Sequence, residues 1–186
     1  MAEVTYYWTA RNMDWDTHPE YMVDGILANY TSTSSDGDIE RITTNTCLGT
    51  DLGTISKVEI RCYGYGDGDD RIDIKPIFGG TSPGDSHQTT PASSPGWGTY
   101  VDITNDNNAP SPWTWSDVQA LYAYITKENV SKGNIMYCAK VEIRVTYEPT
   151  AGWTNIAKVN AVGQADIAKV SGVAVADIAK ISGVAV

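Results

Sequence analysis

Apolar and polar residues alternate with a period of two in several stretches of this chain, and that pattern constrains its fold more than any other feature. Ile55-Ser56-Lys57-Val58-Glu59-Ile60-Arg61-Cys62-Tyr63 carries it for nine residues. Arg71–Phe78 carries it again, with Pro76 pointing to an edge or a strand end. In Met136–Tyr147 the residues Val141, Ile143, Val145 and Tyr147 alternate with Glu142, Arg144 and Thr146. A period of two puts alternate side chains on opposite faces, as in a strand that buries one face and leaves the other to solvent. Val4–Trp8, Tyr21–Val23, Ile26–Tyr30, Gly98–Ile103 and Leu121–Ile125 read as further strands, with Asp24-Gly25 as a turn. Helical signal is confined to one capped turn over Ser116–Leu121. Polar loops at 64–70, 79–95 and 105–112 separate these runs. Many short strands punctuated by Gly, Pro, Asn and Asp predict an all-β head over residues 1–147, an antiparallel β-sandwich or jelly roll.

Beyond Tyr147 the character of the chain changes. Residues 148–154 read as a linker, and 155–186 as three eleven-residue repeats. Asn155-Ile156-Ala157-Lys158-Val159 is matched by Asp166-Ile167-Ala168-Lys169-Val170 and by Asp177-Ile178-Ala179-Lys180-Ile181. Two local structures fit one unit. In the first, Asn or Asp caps a short helical turn that a glycine closes. In the second, the unit is a β-hairpin with Ser-Gly at its tip. The recurrence of the cap residue in all three copies favours the helical turn. A tail this short does not support a core of its own. Its Ile156, Val159, Val162, Ile167, Val170, Val173, Ile178, Ile181 and Val184 are nevertheless too apolar for a solvated linker. These residues are expected to bury against the chain's own head, a sister subunit or a larger scaffold, and the reading favoured is that the repeats are an assembly device.

Charge narrows the list of partners. The 23 acidic and 13 basic residues give a net charge of −10, which argues against nucleic acid and anionic membranes. No stretch of 18 apolar residues is present. Met1–Trp8 lacks a basic region followed by an apolar one, so it reads as a strand rather than an export signal. No Gly-x-Ser-x-Gly, His-Glu-x-x-His or Walker pattern occurs and no carboxylate pair stands out, so the chain reads as non-enzymatic.

Some residues are candidates for binding. Trp97, Trp113 and Trp115 lie in loop-like sequence, where exposed indoles would stack on sugar faces. No cofactor is expected, with calcium as the one possible ligand: Asp67, Asp69 and Asp70 sit on a glycine-rich loop, and carboxylate oxygens suit this hard cation. Cys47, Cys62 and Cys138 are odd in number and lack zinc-site spacing, so they read as buried thiols, with a Cys62–Cys138 bridge as the alternative. Asn29-Tyr30-Thr31 and Asn129-Val130-Ser131 fit the N-glycosylation pattern.

Pro19-Glu20-Tyr21-Met22-Val23-Asp24-Gly25, followed by Thr50-Asp51-Leu52-Gly53-Thr54-Ile55-Ser56-Lys57-Val58-Glu59-Ile60, resembles the galactose-binding-like, discoidin-type jelly roll. The resemblance implies an eight-stranded sandwich whose loops at one end bind carbohydrate or another surface. It also implies calcium near the Asp-Gly turn, which maps to Asp24, although the Asp-Gly-Asp followed by Thr and Trp often seen there is absent. The repeats, ending Ala176-Asp177-Ile178-Ala179-Lys180-Ile181-Ser182-Gly183-Val184-Ala185-Val186, are similar to short tandem repeats that end phage virion proteins and surface proteins of environmental microbes. That similarity implies a structural or appendage role.

Together these features favour a structural subunit of an extracellular assembly, a phage decoration or fibre protein or a surface filament, on the virion or an extracellular surface. It would assemble with itself or with other virion or appendage proteins. The alternative is a carbohydrate-binding or adhesin module with glycan partners. Neither reading involves nucleic acid or membrane.

Overall fold

The computed structural model describes residues 1–12, 15–66, 71–89, 93–128 and 134–150, with the pairs 158–159, 162–163, 169–170, 173–174, 180–181 and 184–185 of the C-terminal region. The chain divides into two compact units, Met1–Glu148 and Pro149–Val186.

The first unit is a β-sandwich. Its strands are β1 (Ala2–Tyr7), β2 (Thr31–Thr33), β3 (Ile39–Ile42), β4 (Gly53–Gly66), β5 (Arg71–Phe78), β6 (Ser82–Pro83), β7 (His87–Gln88), β8 (Gly96–Trp97), β9 (Val101–Asp102), β10 (Tyr122–Glu128) and β11 (Met136–Pro149). One sheet has the order β1-β11-β4-β8, with β2 also on β11 and β9 also on β4. The other runs β3-β10-β5-β6, with β7 also on β5. Every pairing with a defined register is antiparallel. Pro76, which has no N–H to give, falls in the gap between the rungs β5 makes with β7 at Asp73–Ile74 and with β6 at Ile77–Phe78.

The core forms between the sheets. Val58, Ile60, Cys62, Val141, Ile143 and Val145 from one sheet meet Ile42, Ile72, Ile74, Ala123 and Ile125 from the other. The inward alternation of β11 passes from Met136 and Cys138 to Val141, which is three residues on rather than two. One extra residue in the strand, a bulge, accounts for that change of phase. All three cysteines are buried free thiols. Burial pushes the Cys62 thiol up to about 12 and raises Cys138 well above the ordinary range.

Local chemistry corrects several sequence expectations. Tyr21–Val23 is not a strand: Pro19–Val23 forms a 3-10 turn that begins on a proline. Ile26–Tyr30 is no strand either. Asp24 Oδ1 accepts from the Ile26 N–H at 2.7 Å, and Gly25 at φ +79° turns the chain. The strand expected over Gly98–Ile103 is confined to β9 within it, and β8 comes just before it. The helical turn is α1 (Trp115–Gln119), and its cap is Thr114, which exchanges hydrogen bonds with Asp117.

The repeats depart most clearly from the favoured reading. Each forms a two-stranded antiparallel ladder, not a capped helical turn. The ladders are β12 (Lys158–Val159) with β13 (Val162–Gly163), β14 (Lys169–Val170) with β15 (Val173–Ala174), and β16 (Lys180–Ile181) with β17 (Val184–Ala185). Val159↔Val162, Val170↔Val173 and Ile181↔Val184 are equivalent pairs, and two residues separate the strands in every copy. β-Branched residues beside a two-residue connection favour this geometry over a helix.

Candidate functional site: an aromatic surface on the six-stranded sheet

The alternation that sends Ile60, Cys62 and Gly64 of β4 inward sends Arg61, Tyr63 and Tyr65 to the opposite face, where each is half-buried. Residues directly opposite each other on neighbouring strands share a face. Tyr63 pairs with Trp97, and Glu59 with Asp102. Toward the opposite edge of the sheet, on the same face, Tyr7 pairs with Glu142, Thr5 with Arg144, and Ser32 with Tyr137. The outer face of this sheet therefore carries aromatic and charged side chains drawn from six strands and their flanks.

The rings are continuous. Tyr65 and Tyr137 stack with centroids 4.4 Å apart and planes 8° from parallel. Tyr30, from the segment entering β2, sets its edge against both, at 5.3 and 6.4 Å, and lies 6.4 Å from Tyr63. Tyr63 in turn meets Trp97 edge to face at 5.1 Å. Burial, followed by a hydrogen bond with Tyr63, pushes the Tyr30 hydroxyl up to about 12. It stays protonated, a neutral donor, across the physiological range.

Beside this cluster runs an alternating series of rings and cations. The Arg61 guanidinium lies 4.0 Å from the Trp97 ring centre and 4.1 Å from that of Tyr100; Arg144 lies 3.9 Å from Tyr100. Carboxylates hold both arginines in place. Arg61 donates to Glu142 Oε2 from Nε and Nη2 at 3.2 and 3.0 Å. Arg144 donates to Glu59 Oε2 from Nε at 2.8 Å and pairs with it through Nη2 at 2.7 Å. Lys140 pairs with Glu142 at 3.5 Å and Lys57 with Glu59 at 2.6 Å. Glu59 and Glu142 are nearly buried, so the opposed cations offset their desolvation. Fixed guanidinium planes against Trp97 and Tyr100 leave those rings little rotational freedom.

Of the three tryptophans singled out as sugar-stacking candidates, only Trp97 is on this surface. Trp113 and Trp115 are core residues, 8 % and 4 % exposed. The Trp113 indole donates to the Thr104 carbonyl at 3.0 Å and that of Trp115 to the Gly53 carbonyl at 2.8 Å, so both polar tips are satisfied internally. Asp24 is committed to its own turn: Oδ1 takes the Ile26 N–H and Oδ2 the Asn29 side-chain amide, each at 2.7 Å. Asp67, Asp69 and Asp70 lie outside the described residues. Among the described residues no group of three or more His, Cys, Asp or Glu side chains is placed to hold a metal ion. Of the repeat residues, Val159, Val162, Val170, Val173, Ile181 and Val184 are in the short ladders, while Ile156, Ile167 and Ile178 lie outside the described residues. Sequence reasoning missed Tyr30, Tyr63, Tyr65, Tyr100 and Tyr137. The period-two pattern around Ile60 and Cys62 already placed Tyr63 on the outer face, but Tyr65 fell in the loop read over 64–70, and nothing local ties Tyr30 or Tyr100 to them.

No family model and no curated protein matches the chain. Among solved structures, the chain is similar to the CBM36-1 domain of a multidomain xylanase from the hindgut metagenome of Trinervitermes trinervoides, at 9 % identity and a TM-score of 0.43, over 76 % of this chain and 96 % of that one.

Proposed function

We propose that the head is a carbohydrate-binding module whose ligand lies on the outer face of the six-stranded sheet. The observation that carries this reading is the run of touching, half-buried rings Trp97, Tyr63, Tyr30, Tyr137 and Tyr65 on that outer face, opposite the core. Flat apolar rings with polar tips suit sugars, which present C–H faces for stacking and hydroxyls for hydrogen bonding. A rigid platform of this kind loses little conformational entropy on binding. In calorimetric titrations against a polysaccharide panel, Trp97→Ala and Tyr63→Ala are each expected to weaken binding of a retained polymer about tenfold or more, near 1.4 kcal/mol, as for a central aromatic contact. Undiminished binding by both variants would remove this face from consideration.

We also infer an assembly role for the second unit. The three ladders repeat with the same register, and a lone two-stranded hairpin is at best marginally stable in water. Repetition of one unit suits association with further copies. In sedimentation velocity the full chain is expected to run as a multimer, and a chain ending at Glu148 as a folded monomer. A multimer that survives the truncation would move this role to the head.

A further inference from the structure

Resting on the reading of this face as a glycan platform, we infer that its ligand is an internal stretch of an uncharged polysaccharide that crosses the strands. The first support is electrostatic. The four cations Lys57, Arg61, Lys140 and Arg144 are matched on the face by the four carboxylates Glu3, Glu59, Asp102 and Glu142. Each cation has a carboxylate within 4.0 Å, so none is left over for an anionic group on a ligand. Drawing Arg61 or Arg144 to a uronate would take from a nearly buried glutamate its doubly bonded arginine and leave it a lysine alone, which costs more than a surface pair returns. The chain as a whole, at −10, repels polyanions as well. What the paired groups do offer a neutral ligand is spare hydrogen-bonding capacity: a guanidinium has five N–H donors and a carboxylate about four acceptor sites, enough for hydroxyls.

The second support is the shape of the aromatic run. Its rings belong to β8, β4 and β11 and to the approach to β2, which are neighbours in the sheet. Tyr30 packs over β4, 5.3 Å from Tyr65 and 6.4 Å from Tyr63, so the run spans the two spacings from β8 to β11, about 10 Å, which is more than a single sugar covers. The rings follow one another along an outer face, which suits a chain passing over it more than a chain end held in a pocket.

The test uses the full chain in affinity electrophoresis against neutral polymers (β-glucan, xylan, mannan, galactan) and uronate polymers (polygalacturonate, alginate), at low and high salt. Trp97→Ala runs in parallel, and calorimetry follows with mono- to hexasaccharides of any polymer that retards the protein. Retardation by a neutral polymer that is lost in Trp97→Ala, is insensitive to salt and strengthens from the mono- to the trisaccharide supports the inference. Preferential binding to a uronate polymer, weakening more than about tenfold with salt as counterion release requires, overturns it; loss of that binding in Trp97→Ala would leave the glycan platform standing. Affinity already complete at the monosaccharide overturns the internal-chain part. No retardation by any polymer, or retardation unchanged in Trp97→Ala, sinks the inference together with the platform itself.

Discussion

Trp115→Ala is expected to lower the melting temperature of the head by about 6–20 °C, whereas Trp97→Ala should shift it far less. Trp115 opens α1, is almost wholly buried, and meets Tyr6 and Tyr147 edge-on at 6.5 and 5.1 Å. Truncating a buried Trp costs about 3–5 kcal/mol, from the lost transfer energy and the cavity left behind. At 2–4 °C per kcal/mol for a domain of this size, that gives the stated range. The Gly53 carbonyl also loses its indole donor at the start of β4. Trp97 lies on the two-residue strand β8, where its ring already borders solvent, and its removal opens no internal cavity. Differential scanning calorimetry of the two variants separates a core tryptophan from a surface one. Equal shifts would contradict the assignment of Trp115 to the core and Trp97 to the face.

The second large effect is expected at Gly64. A Cβ there would stand 2.1 Å from the Tyr137 carbonyl oxygen and 3.1 Å from the Cys138 Cα, both backbone atoms of the neighbouring strand β11. No rotamer moves a Cβ, so Gly64→Ala must push β4 and β11 apart. Overpacking costs about 1–3 kcal/mol and sometimes more, and a backbone obstacle puts this site at the upper end. The same displacement would shift Tyr63 and Tyr65 relative to Tyr137, so glycan affinity should fall even at temperatures where the variant stays folded. Gly96 provides the control, since it is the partner of Gly64 in the ladder. A Cβ on Gly96 finds its nearest neighbour, the Ser94 oxygen, at 3.8 Å. Gly96→Ala is expected to be neutral, or stabilising by up to about 1 kcal/mol through the unfolded chain. Urea titrations of both variants check the contrast; a Gly64→Ala midpoint like that of the parent would mean the strands do not approach so closely.

Much of the sandwich is legible in the sequence because β4, β5 and β11 write their inner face every second residue. The stretches that escape notice, β3 and the end of β10 beyond Ile125, break that rule. β3 places Glu40 at an inward position, fully buried, where Arg11 lies 3.7 Å away and the Trp15 N–H donates to it at 3.4 Å. Lys127 shares the inward side of β10 with Ala123 and Ile125 and donates to the Ser34 carbonyl at 3.3 Å. Charged residues at core positions erase the apolar pattern, and only distant partners make their burial tolerable. The tryptophans illustrate the same limit. Trp97, Trp113 and Trp115 share a residue type and a loop-like setting, and what separates them is a tertiary partner: the Thr104 or Gly53 carbonyl for the buried two, the Arg61 guanidinium for the half-buried one. In the repeats the recurring Asn or Asp suggested a helix cap. The ladder joins Lys and Val to Val and Ala instead, because β-branched residues on both sides of a two-residue connection outweigh one cap position.

The equal registers of the three hairpins bear on how this chain tolerates change in length. The pairs Val159↔Val162, Val170↔Val173 and Ile181↔Val184 recur at a spacing of eleven residues, and each closes within its own unit. Gain or loss of one whole unit leaves every remaining pairing intact, whereas an insertion between the two strands of a unit breaks that unit's ladder. Copy number is thereby uncoupled from fold, and natural variants of this chain should differ at this end in steps of eleven.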